Sequence, residues 1–131
     1  MATAERVIPD TCAWIDFFNA RQTPLAFALE KALRQGRVCT CGIVKYELAR
    51  GVKGKDEERI LFEALQAIEH LEMTESLWIK AGYLSRRLRK QGVTIPLSDI
   101  LIAVLALEHK LSVLTIDRHF SLIEGLQLAA G

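Results

Sequence analysis

Four acidic residues stand where side chains could do chemistry. Asp10 follows the short run Val7-Ile8-Pro9, and Asp117 follows Ser112 to Ile116. Glu47 sits among Ile43, Val44, Tyr46 and Leu48, and Asp99 leads directly into the apolar run Ile100 to Leu107. Each alone has an ordinary reading as a turn former, a solvated helix residue, a first-turn acid or a cap, and a first-turn carboxylate suits the helix dipole. Anchored on buried elements and brought to one sheet edge, four carboxylates would repel one another unless a cation neutralised them. Oxygen-only ligands suit Mg2+ or Mn2+, not zinc. Such an ion polarises a phosphoryl oxygen and supplies hydroxide for attack on phosphorus. That is nuclease chemistry.

Other chemistries fit the residues less well. A phosphatase of the haloacid dehalogenase type would need a second Asp two residues after Asp10, where Cys12 stands. A phosphorelay receiver would need a phosphoacceptor Asp at a central strand end and a Lys-Pro near the last strand, and neither is evident. Cys12, Cys39 and Cys41 form no Cys-x-x-Cys pair, and His70, His109 and His119 are scattered, so the spacing of a zinc site is missing. Small buried thiols in a reducing compartment are the favoured reading.

The elements that must position these acids follow from the hydrophobic pattern. Short strands are expected at Arg6–Pro9, Arg37–Thr40, Leu71–Met73, Ser112–Ile116 and Leu126–Leu128. Thr23-Pro24 and Gly36 bracket a capped helix, and Ile43–Arg50 reads as a second one stopped at Gly51. Asp56–Glu69 carries Leu61, Ala64, Leu65 and Ile68 on one face. Thr74 caps a helix to Gln91 with Leu77, Ala81, Leu84 and Leu88 inward, and Ser98–Lys110 is apolar nearly all round. A short helix is expected at His119–Ile123. Strands alternating with helices give βαβ units, hence an α/β fold: a three-layer α/β/α sandwich on a central, mostly parallel sheet. In such sheets ligands bind beyond the carboxyl ends of the strands, near the point where strand order reverses.

Composition bounds the rest. The 131 residues suit a single domain, residues 1–131, large enough to bury a core without disulfides or structural metal. The longest apolar run, Ile100 to Leu107, is far short of a bilayer span, and Glu5, Asp10 and Asp16 interrupt any leader-like stretch, so the expected location is the cytoplasm, off the membrane. Basic residues number 17 against 16 acidic ones, so with the four candidate ligands set aside the remaining surface is moderately basic. Arg50 and Lys53 follow Glu47, Arg118 and His119 follow Asp117, and all four are candidate contacts for the phosphates of a nucleic acid. The basic run Ser85 to Lys90 reads first as dipole complementation at a helix end.

Four segments together carry a resemblance: Val7 to Phe17, Tyr46 to Leu48, Pro96 to Ala103, and Leu114 to Phe120. They resemble the PIN-domain family, and within it the VapC-type toxins of toxin–antitoxin pairs, over essentially the whole chain. The resemblance implies a Mg2+- or Mn2+-dependent endoribonuclease in which Asp10, Glu47, Asp99 and Asp117 coordinate metal and do catalysis, and the Thr115 hydroxyl supports the last acid. It also implies an RNA substrate, an antitoxin partner and a homodimer; for the dimer contact, Phe62 or the outer face of Asp56–Glu69 is the expectation. Cys12 stands where members often have Ser or Asn, and His119 where many carry another acid. The alternative is a catalytically inactive binding module on the same fold.

Overall fold

The computed structural model describes residues 5–129; the outermost residues of the expected 1–131 domain lie outside them. Strands β1 (Val7–Pro9), β4 (Ser112–Leu114) and β5 (Gln127–Ala129) form one parallel group, and β2 (Cys39–Cys41) and β3 (Glu69–Leu71) another. A single parallel bridge, Val7 to Val38, joins them into the lateral order β3-β2-β1-β4-β5. Order therefore reverses between β1 and β4, whose carboxyl ends deliver Asp10 and the Thr115–Asp117 segment. β1, β2 and β4 are buried on both faces, which requires helices on both sides of the sheet. Those helices include two packed pairs, α1 (Thr11–Phe18) with α2 (Pro24–Arg34) and α5 (Glu75–Lys90) with α6 (Leu97–His109). The expected three-layer arrangement is the observed one.

α6 is the central helix of the core. Ile100 to Ala106 are all buried, against β1 and β4 on one side and α5 on the other. Its amphipathicity is weak because it faces protein nearly all round, so the stripe that marks a surface helix is missing. Asp99 is carried in its first turn. α3 (Gly42–Gly51) carries Glu47, with Val44 and Leu48 buried beneath it.

Several boundaries differ from the sequence expectation. No helix is expected from the residues of α1, a run of bulky and aromatic side chains with modest helix propensity. It forms because Asp10 ends β1 and immediately caps α1, its carboxylate accepting the Thr11 N–H at 2.6 Å, while Trp14 is fully buried. α4 (Lys55–Gln66) ends earlier than Glu69, since Glu69 opens β3 by pairing with Cys39, two residues before the expected Leu71–Met73 strand. β2 is likewise shifted onto Cys39–Cys41. β4 stops at Leu114, short of the expected Ile116, and the Leu114 carbonyl accepts the Asp10 N–H at 2.9 Å as β1 turns into α1. The chain beyond is freed to aim Thr115 and Asp117, and then forms a 3-10 turn at Arg118–Leu122. No helix among the described residues is long and apolar enough to cross a membrane.

Candidate active site

Asp10 is 8% exposed and Asp99 7%, among only four buried polar or charged residues described. The Asp10 Oδ2 atom accepts the Thr115 hydroxyl at 2.9 Å and the Cys12 thiol at 3.5 Å. Burial raises the Asp10 pKa above the ordinary carboxylate value. The three hydrogen bonds oppose that rise, and the charge of Asp117 adds to it. Asp99 is raised as well, chiefly by burial, and the charges of Asp10 and Asp117 push the same way against the His119 contact. Mutual repulsion of this kind puts Asp10, Asp99 and Asp117 in one electrostatic cluster.

Glu47 joins from the α3 side. Its Oε1 accepts the Thr11 hydroxyl at 2.7 Å, so the residue next to Asp10 holds the fourth acid in place. Thr11 is absent from the sequence reading; its signal is only its place beside Asp10. Thr115 does more than support the last acid. Its hydroxyl donates to the first one and accepts the Asp117 N–H at 2.9 Å.

His119 sits inside the cluster. Its Nδ1 is 3.3 Å from Asp99 Oδ2 and 3.2 Å from Asp117 Oδ1, and its backbone N–H donates to Asp117 Oδ1 at 2.9 Å. The ligand atoms of Asp99, Asp117 and His119 lie within 4.8 Å of one another. Among the described residues no Lys or Arg forms an ion pair with Asp10, Glu47, Asp99 or Asp117. Buried carboxylates with no Lys or Arg partner, and oxygens as the main donors, are what a divalent cation site requires, and the residues present fit one.

The other candidates are placed differently. Lys53 lines a hollow shared with Glu47, whereas the Arg50 guanidinium lies 5.4 Å over the Tyr46 ring. Arg118 is exposed at the start of the 3-10 turn. Phe62 is half-buried and packed against the core, so it is not the exposed aromatic expected for a dimer face; Phe27, Tyr46, Trp78 and Tyr83 are the exposed aromatics among the described residues. The three thiols are free, Cys39 and Cys41 buried and Cys12 half-buried.

A parallel sheet with acids clustered at its switch point makes this an α/β domain of the doubly wound kind. The PIN domain model matches residues 7–126, and the chain belongs to the PIN domain family. It is similar to ribonuclease VapC21 of Mycobacterium tuberculosis, 22% identical over 112 residues covering 83% of this chain and 81% of that one. VapC ribonuclease Mb1587 of Mycobacterium bovis is 24% identical over 121 residues, 89% of this chain and 90% of the relative. Among solved structures, DNA-bound VapBC from Salmonella typhimurium superposes with a TM-score of 0.80 at 21% identity, covering 96% of this chain and 98% of the other. VapBC2 from Rickettsia felis, bound to a promoter DNA fragment, gives 0.79 at 23% identity, with 94% and 96% covered. At these identities the superpositions speak for the fold.

Proposed function

We propose that this chain is the ribonuclease toxin of a toxin–antitoxin pair, folded as one PIN domain and acting in the cytoplasm as a Mg2+- or Mn2+-dependent endoribonuclease. The observation that carries the reading is the meeting of Asp10, Asp99 and Asp117 at the carboxyl ends of β1 and β4, with Glu47 tied to them through Thr11. Family membership and the VapC ribonuclease relatives support it.

Asp10 and Asp99 would hold the cation, with Asp117 and Glu47 completing its surroundings. When bound, the ion would supply Lewis-acid polarisation of a phosphoryl oxygen and acidify water. The chain's own contribution is positional. Thr115 and the Thr11 N–H fix the Asp10 carboxylate, α6 fixes Asp99, and Glu47 is placed to accept a proton from attacking water. Lys53 and Arg118 would contact phosphates flanking the scissile bond, and Arg50 would extend that surface beyond Glu47.

The antitoxin is assigned to the apolar groove of about 560 Å³ formed by Ile15, Phe18, Leu48, Ile60 and Leu61, which runs into Glu47. A peptide laid there would end against the carboxylates and block them. Another solved structure of similar fold is a toxin–antitoxin complex from Klebsiella pneumoniae, which supports a partner of this kind. A second copy of the chain is assigned to the face bearing Tyr46 and Trp78.

The test is cleavage of RNA by protein freed of antitoxin. Cutting with Mg2+ or Mn2+ that stops in EDTA is expected. Undiminished cutting after full chelation would overturn the metal mechanism, and no cutting with either ion would favour the inactive binding module.

A further inference from the structure

The contact of His119 with the acids is poorly described as an ion pair. One ring nitrogen, Nδ1, lies 3.3 Å from an Asp99 oxygen and 3.2 Å from an Asp117 oxygen. It can offer at most one proton to the two of them, and charge-assisted N–H···O bonds are usually shorter, ~2.7–2.9 Å. The geometry is instead that of three donor atoms gathered in one place, all within 4.8 Å of one another. Adjacent ligands of an octahedral ion with bonds of ~2.1 Å lie roughly 3 Å apart, close to the two separations seen here. The backbone adds to the arrangement. The His119 N–H is bonded to Asp117 Oδ1 at 2.9 Å, so the turn that carries the ring is locked to the acid beside it. The ring is 47% exposed, so nothing in the core demands a histidine there.

We propose that His119 is a nitrogen ligand of the cation held by Asp99 and Asp117, making the centre a mixed carboxylate–imidazole site that prefers a first-row transition ion such as Mn2+ to Mg2+. This rests on the metal-dependent reading above and goes beyond it. Mg2+ takes oxygen ligands almost exclusively, while imidazole suits the transition series and Mn2+ accepts both donor types. A carboxylate at this position would add charge and serve Mg2+; an imidazole adds no charge and shifts the choice of ion.

Mn2+ and Mg2+ are titrated calorimetrically into the antitoxin-free wild type, His119→Asp and His119→Asn, and the Mn2+ complexes are read by pulsed electron paramagnetic resonance for directly bonded 14N. The wild type should show that coupling and both variants should lose it. The ratio of Mn2+ to Mg2+ affinity should fall at least about tenfold in His119→Asp, the lower end of what even supporting residues around a metal are worth. Thermal melts without metal establish that each variant is folded, and if one is not, the wild-type spectrum with the other variant decides. Mn2+ bound without nitrogen coupling, coupling that persists in both variants, or an unchanged ratio would overturn the ligand role while leaving the carboxylate site intact. Mg2+ bound without Mn2+ would overturn the ligand role alone, and neither ion bound to wild type would overturn both readings.

Discussion

The Thr115 hydroxyl donates to Asp10 Oδ2 at 2.9 Å, joining the carboxyl ends of β4 and β1 across 105 residues of sequence. The same oxygen accepts the Asp117 N–H, so one hydroxyl sets the first acid and the last. Thr115→Val keeps the shape and removes both bonds. Losing a partly buried hydrogen-bonding partner costs ~1–3 kcal/mol, and losing support for a metal ligand typically costs ~10–100-fold in affinity or activity. Thr115→Ser should restore most of both. Urea melts and Mn2+ titration of the pair check this; a valine variant with wild-type metal affinity would make Thr115 a structural residue only.

Thr11 offers a contrasting case. Its hydroxyl holds Glu47 Oε1 at 2.7 Å, but it is only half-buried and caps nothing else. Thr11→Val should therefore lower RNA cleavage severalfold with a stability change of about 1 kcal/mol or less. Single-turnover cleavage beside a thermal melt separates the two effects. Equal cleavage would remove Glu47 positioning from the mechanism.

Most of this architecture was legible from the chain because its helices and strands carry ordinary signals. Thr23 and Thr74 cap α2 and α5 as their sequence contexts require, and the stripe Leu77, Ala81, Leu84, Leu88 is buried. The four acids lie at the strand ends and helix turns where the pattern puts them. What was illegible is tertiary. α1 owes its existence to Asp10 acting as cap and to burial of Trp14, neither of which periodicity over eight residues reveals. The shift of β3 onto Glu69 follows from its register with Cys39. His119 joins Asp99 only because the 3-10 turn folds back over the start of α6, a contact between residues twenty apart.

The thiols should be inert. The Cys12 and Cys39 thiols are each pushed up to about 11, mainly by burial, with the Asp10 charge adding at Cys12 and the Glu69 contact adding at Cys39. Cys41 is raised too, again by burial first. Only the thiolate reacts, so iodoacetamide at pH 8 should label native protein slowly and label all three cysteines quickly in urea. A fast-labelling thiol in the native state would place one of them in a more open environment.

Tyr46 is 57% exposed and Trp78 49%, and the two line one hollow of about 330 Å³ with Ile43 and Met73. Apolar area of this kind suits burial against a second copy. Light scattering at micromolar concentration should show a dimer, and Trp78→Glu should shift it to a folded monomer whose melting temperature no longer depends on protein concentration. A wild type that stays monomeric would count against the dimer; a variant that stays dimeric would move the contact elsewhere.

Asp99 separates function from stability at one residue. Its pKa is raised in the fold, so its charged form is disfavoured there relative to the unfolded chain. Stability from this group is therefore greatest at low pH, where it is protonated in both states, and is lost as pH rises through the folded value. Metal-free protein should thus gain from this residue as pH falls below neutrality toward the carboxylate range. Asp99→Asn imitates the protonated form at all pH values. It gives up a first-turn dipole contribution of ~0.3–1 kcal/mol and changes the contact with His119, and it relieves the burial cost and the repulsion from Asp10 and Asp117. In EDTA at pH 7 the variant should melt no lower than wild type, and its stability should depend less on pH. Added Mn2+ should then stabilise wild type more than the variant, since an ion that binds only the folded state raises stability by mass action. RNA cleavage by the variant should fall by orders of magnitude. A variant melting well below wild type in EDTA would make Asp99 a structural helix residue, and one cleaving at the wild-type rate would remove it from the site.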